Sequence, residues 1–255
     1  MKRFTTNEEM ETLCEALIRD WFRCRRSFDA LCVDIEGFVR EYLGLPVVFE
    51  AFAESDPGRL GFLSDGRRVL AVFRDGRRKE IVFPRGTAVI ERFLLEPGEQ
   101  ARKRFTLAHE GAHEILNRHI PIQASPLAAF HSEVDSGFRY LREVLKEMMS
   151  YNEVLANRAA AGLLMPRFLT ERVLAKHNGS RKVILYAGED GTVLSQDQKL
   201  LIQKMADVMG VSYSALFYRL KELDLFETRP VEEYLRAKLR CGGDYCAGKQ
   251  KSTGC

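Results

Sequence analysis

The run Arg104-Phe105-Thr106-Leu107-Ala108-His109-Glu110-Gly111-Ala112-His113 decides how this chain is read. Phe105, Leu107, Ala108, Ala112, Ile115 and Leu116 supply an apolar flank, and Pro97-Gly98-Glu99 stands ahead of them, so a helix is expected from roughly Gln100 to Asn117. Residues four apart share one helix face. His109 and His113 can therefore offer imidazoles to one ion, with Glu110 placed to handle a proton beside it. The small Gly111 and Ala112 keep bulk away. The chain has five histidines, so the pattern could arise by chance; the apolar flank, which would bury such a helix, favours the metal.

A catalytic zinc normally takes three protein ligands and leaves a fourth position to water. Glu153 is the preferred third ligand, in Asn152-Glu153-Val154-Leu155-Ala156-Asn157 on a second expected helix running from about Ser136 through Met165 to Pro166. Ala156, Ala159, Ala160 and Ala161 would let two helices approach closely enough to share one ion. Asn157, one turn on from Glu153, is placed to accept the Nδ1 proton of a ligand histidine and fix its tautomer. His119 and His131 are weaker candidates near expected loops, and Glu114 should point away from the His113 face. The chemistry expected of this set is hydrolysis of a peptide bond with one Zn2+, Glu110 carrying a proton from water to the leaving amine. For the oxyanion donor, Tyr140, Tyr151, His131 and the arginines between residues 120 and 160 stay open.

Outward from this centre, Asn7 to about Leu43 reads as two helices broken near Arg25 to Phe28. Short apolar runs follow at Val47-Val48-Phe49, Gly61-Phe62-Leu63, Val69 to Phe73 and Glu80 to Phe83. With turns at Ser64-Asp65-Gly66 and Asp75-Gly76, they predict a small antiparallel sheet. Beyond Pro166 come a short helix ending at Asn178-Gly179, a hairpin between Val183 and Leu194, and a helical C-terminal third. Within that third, residues 202–221 fit a helix-turn-helix: Ala206 and Gly210 take the small and turn positions, Val211 and Leu216 the apolar ones, and Ser212 caps the second helix. The expected divisions are a metal-binding domain over 1–195, a helical region over 196–240 and a flexible tail over 241–255.

A net charge of only +3 gives no general pull toward nucleic acid or anionic membranes. The second helix of the helix-turn-helix, taken from Ser212 to Phe226, sets Arg219 and Lys221 against Glu222 and Asp224, so a DNA-binding regulator is the rival expectation rather than the preferred one. The clusters Arg23, Arg25, Arg26 and Arg102, Lys103, Arg104 are expected to be solvated helix faces. The charged N-terminus and the lack of any span-length apolar run predict a cytoplasmic protein. Of the six cysteines, Cys14, Cys24 and Cys32 are expected to be buried thiols; Cys241, Cys246 and Cys255 lie in the tail without a C-x-x-C pair.

The Arg104 to His113 block, followed by Glu153-x-x-Ala156-Asn157-x-x-Ala160-Ala161-x-Leu163-Leu164-Met165-Pro166, resembles the two signatures of the ImmA/IrrE metallo-endopeptidases. More loosely, the resemblance runs from about Val33 to Leu225. It implies an α+β, zincin-like (minimal gluzincin) fold, with His109, His113 and Glu153 as ligands and Glu110 as the catalytic residue. It also implies an intracellular regulator that cleaves, or helps to inactivate, a helix-turn-helix repressor. Asn157 stands where the related thermolysin-type motif has an aspartate, which weakens the support for the ligand histidine. The stretch Pro121 to Pro126 and the hairpin near residues 182–194 depart from the family pattern and are candidates for substrate-specific insertions.

Overall fold

A computed structural model describes residues 6–53, 58–119, 142–189 and 191–243, and these form a mixed α and β structure. Helix α1 (Asn7–Arg25) opens on a capping box, Thr6 accepting from the Glu9 amide and Glu9 from the Thr6 amide, and closes on Arg26 in the left-handed region. Its inner face buries Met10, Cys14, Ile18, Trp21 and Phe22. Cys24 falls off that face and is exposed, and Cys32 is only partly buried, so of the three expected buried thiols only Cys14 is fully so. A short α2 (Ile35–Gly37) then runs into a π-helical turn (Phe38–Tyr42) that buries Phe38 and Val39.

Strands β1 (Val47–Phe52), β2 (Gly61–Leu63), β3 (Val69–Arg74), β4 (Arg77–Val82) and β5 (Ala88–Glu91) make one sheet in the order β2-β5-β1-β3-β4. Asp75 and Gly76 both take positive φ, the conformation of a tight hairpin turn, and join β3 to β4 as expected. The sheet is nonetheless mixed rather than antiparallel, because β1 pairs in parallel with β5. β5 is a three-residue apolar run with one further residue, short enough to pass for the end of a loop, and its partner lies far away in sequence. Ser64-Asp65-Gly66 does not join paired neighbours either. Its Asp65 carboxylate instead accepts from the Arg67 and Arg68 amides, both at 2.8 Å, while β2 pairs with β5.

Helix α3 (Gln100–His119) and helix α4 (Arg142–Leu164) form the central helical pair. Ala156, Ala159 and Ala160 of α4 are fully buried, and Gly162 sits where a Cβ would be 3.1 Å from that of Cys14, so α4 also lies close against α1. On α3, a Cβ at Gly111 would stand 3.1 Å from Val39 Cγ2, which lets the π-turn pack directly on that helix.

Helix α5 (Arg167–Asn178) ends at Gly179 in the left-handed conformation. Strands β6 (Val183–Gly188) and β7 (Gly191–Val193) form the expected hairpin, and helices α6 (Gln196–Met209) and α7 (Tyr213–Glu222) follow. Gly210 turns the chain at φ 65°, and Ser212 caps α7 by accepting from the Ala215 amide at 3.2 Å. The second helix stops at Glu222, however, and does not extend to Phe226. Asp224 turns left-handed, and Phe226–Pro230 forms strand β8, which adds in parallel to β6; the C-terminal third is not all helical. Helix α8 (Val231–Gly243) completes the described chain, and most of the expected tail lies outside the described residues.

One continuous core runs from Met10 to Leu225 and joins α1, α3, α4 and the helix-turn-helix-like region. Burying each large side chain in it contributes roughly 1.5–3 kcal/mol. Among the described residues, no helix is long and apolar enough to cross a membrane.

Candidate metal centre

His109 and His113 lie one turn apart on α3, where the apolar face of Leu107, Ala108, Ala112, Ile115 and Leu116 is buried and carries both imidazoles into the contact with α4. Because the facing turns of α4 are alanines, its backbone comes close enough to bring Glu153 over the pair. His109 Nε2 is 3.1 Å from His113 Nε2 and 3.2 Å from a Glu153 oxygen, and the other carboxylate oxygen is 3.6 Å from His113 Nε2. One donor atom from each residue lies within 4.8 Å of the others.

These spacings fit a shared dication. A tetrahedral ion bound at about 2.0–2.1 Å holds its donors roughly 3.3 Å apart, and two imidazole nitrogens with one carboxylate oxygen form a donor set that zinc favours. On the other side of the ring, His109 Nδ1 is 3.0 Å from Asn157 Oδ1. With that oxygen accepting, the proton sits on Nδ1 and the Nε2 lone pair faces Glu153 and His113. Burial pulls the His109 imidazolium down. The hydrogen bond to Glu153, the charges of Glu110 and Glu153 and the bond to Asn157 outweigh it, so the net shift is upward.

Glu110 follows His109 on α3, lies against Gly61 of β2 and is only 5% exposed. Burial pushes its carboxyl up to about 7; His109 opposes this, Glu153 adds to it, and Arg59 and the Leu63 amide again oppose it. A carboxyl titrating near neutrality can both accept and return a proton.

The sequence brought His109, Glu110, His113, Glu153 and Asn157 forward, and the fold places all five together. Glu114 points elsewhere, into an ion pair with Arg118. His131, Tyr140 and the Pro121 to Pro126 stretch lie outside the described residues, as do the side chains of His119 and Tyr151.

Strand β2 was missed as part of the site. A Cβ on Gly61 would stand 2.2 Å from Glu110 Oε1 and 2.8 Å from Thr106 Cγ2, so this strand lies directly on α3. The available signal was a glycine heading a short strand, which often marks close approach of another group. Phe105, whose ring centroid is 6.4 Å from that of His109, was read only as part of the apolar flank.

Arg104 was expected in a solvated cluster, yet it is partly buried. Its guanidinium donates to Gly210 O at 2.8 Å, Val33 O at 2.9 Å and Met209 O at 3.3 Å, tying α3 to the C-terminal end of α6. Arg219 is likewise withdrawn from solvent. One of its nitrogens donates to both Glu11 oxygens at 2.6 Å, and its Nε donates to Met165 O at 2.9 Å. Compared with family models and with curated proteins, the chain matches none at significance.

Proposed function

We propose that this protein is a metal-dependent hydrolase whose ion is held by His109, His113 and Glu153. The single observation that carries the reading is the convergence of those three donors beside a buried Glu110. Within that class, the resemblance of the two motif blocks points to an endopeptidase of the ImmA/IrrE kind, with a zincin-like fold, Zn2+ as the ion and a helix-turn-helix repressor as the protein substrate. Bound zinc would polarise a carbonyl and acidify water. Glu110 accepts the proton from water and delivers it to the departing amine. Asn157 holds the His109 ring in one tautomer, and the lack of a side chain at Gly61 lets the Glu110 carboxylate lie close against β2.

The test is cleavage of purified helix-turn-helix repressors by the zinc-loaded protein, beside its Glu110→Gln variant. The reading expects cutting by the first and a loss of at least about 100-fold by the second at equal zinc content. Equal cutting by both would remove Glu110 from the chemistry. Full relief of repression by the uncutting variant would make sequestration the output.

A further inference from the structure

An open pocket of about 250 Å3 lies between the first turns of α3, the end of α4 and the start of α7. Its walls include Leu60, Phe105, Thr106, Met165, Val211 and Ala215, and the exposed surface is almost wholly apolar. Three connections tie it to the chemistry. Phe105 precedes His109 by one helical turn and faces its ring. Thr106 precedes Glu110 by one turn and meets Gly61. Leu60 adjoins Gly61, where β2 runs along the metal helix. One turn of helix rises about 6 Å, and an extended peptide advances about 3.3 Å per residue. Along the helix, the pocket wall at Phe105 is thus about two extended residues from His109.

We infer that this pocket is the specificity site for the hydrolase proposed above and takes one apolar side chain of the peptide, with the helix-turn-helix-like segment building its far wall. The inference rests on that reading of the metal centre. Its size suits the occupant: an apolar cavity of about 150 Å3 already accommodates a benzene ring, so this one holds a leucine, methionine or phenylalanine side chain. The segment's position has the same sense. Arg104 holds the turn at Met209 and Gly210, and Arg219 anchors α7 to α1, so Val211 and Ala215 stand at a fixed distance from Phe105. A segment held by Arg104 of α3 and by its own Arg219 is a wall for the site rather than a reader of phosphates.

The test uses the full-length zinc-loaded protein with methyl labels on its alanines and methionines, and a peptide library varied on each side of the cut. N-acetyl-leucinamide and N-acetyl-phenylalaninamide are expected to shift the Ala101, Ala215 and Met165 methyl resonances where N-acetyl-glycinamide does not. The library is expected to show a preference of about 10- to 200-fold in kcat/KM for an apolar residue at one position. Ala215→Trp, which fills the pocket, should abolish both effects without releasing zinc. Phe105→Ala, which enlarges it at a partly exposed position, should move the preference toward the largest side chains. Selective methyl shifts without cleavage of any peptide would keep the pocket as a binding site and sink the hydrolase reading. Cleavage indifferent to the residue at every position, or equal shifts with the glycine probe, would overturn the pocket.

Discussion

Replacing Arg219 by alanine separates a packed helix-turn-helix-like region from one that reads DNA. The guanidinium side chain is 6% exposed, against 25% for Glu11 and 57% for Glu222, its two acidic partners. Removing one member of a buried pair costs about 3–5 kcal/mol, because the remaining charge stays desolvated. Glu11 can regain some water, which puts the expected loss near the lower end, at about 3 kcal/mol. The Met165 carbonyl also loses its donor. For a chain of this size that loss corresponds to a fall in Tm of roughly 6–12 °C. Urea unfolding followed by circular dichroism reads it directly. The double substitution Glu11→Leu with Arg219→Met, which removes both charges and keeps apolar volume, should recover most of the loss. An Arg219→Ala protein within about 0.5 kcal/mol of the parent, and one that had instead lost affinity for duplex DNA, would show that the guanidinium faces solvent and that the packing argument fails.

Asn157→Ala should weaken zinc binding by about 10- to 100-fold, while Asn157→Asp should leave it as tight or tighter, as read by competition with a chromophoric chelator. Gly61→Ala drives a methyl group into the Glu110 carboxylate, so kcat should fall at least about tenfold with zinc content unchanged; an unaltered kcat would detach β2 from the chemistry. Burial holds Cys14 up to about 12 against an ordinary 9.0, so the unfolded chain loses that proton first and stability should decline as pH rises above about 9. A Cys14→Ala protein should lack that part of the decline. In the native protein, the exposed Cys24 should react with a thiol reagent at once, and Cys14 only on unfolding.

The grouping of His109, His113, Glu153 and Asn157 was legible because its geometry is local in each half. Two histidines four apart can face only one way on a helix, and Glu153 and Asn157 repeat that spacing on a second helix. What joined the halves was also visible: the alanines of α4 mark a close helix contact. The sheet was less legible because β1 and β5 pair in parallel across three intervening strands, and no turn signals such a contact. The Asp75-Gly76 hairpin, closed by its own turn residues, was read correctly. Strand β8 was hidden for a similar reason, since Phe226-Glu227-Thr228 takes its partner from β6, on the far side of two helices. Arg104 reads as a solvated charge because composition sees a charge and not the carbonyls that surround it.

The central claim is that His109, His113 and Glu153 together bind one ion, and a zinc titration against a competing chelator tests it most directly. The account predicts one tightly bound equivalent in the parent protein and affinity reduced by orders of magnitude in both His113→Ala and Glu153→Ala. A Glu153→Ala protein that still held a full equivalent as tightly as the parent would contradict it.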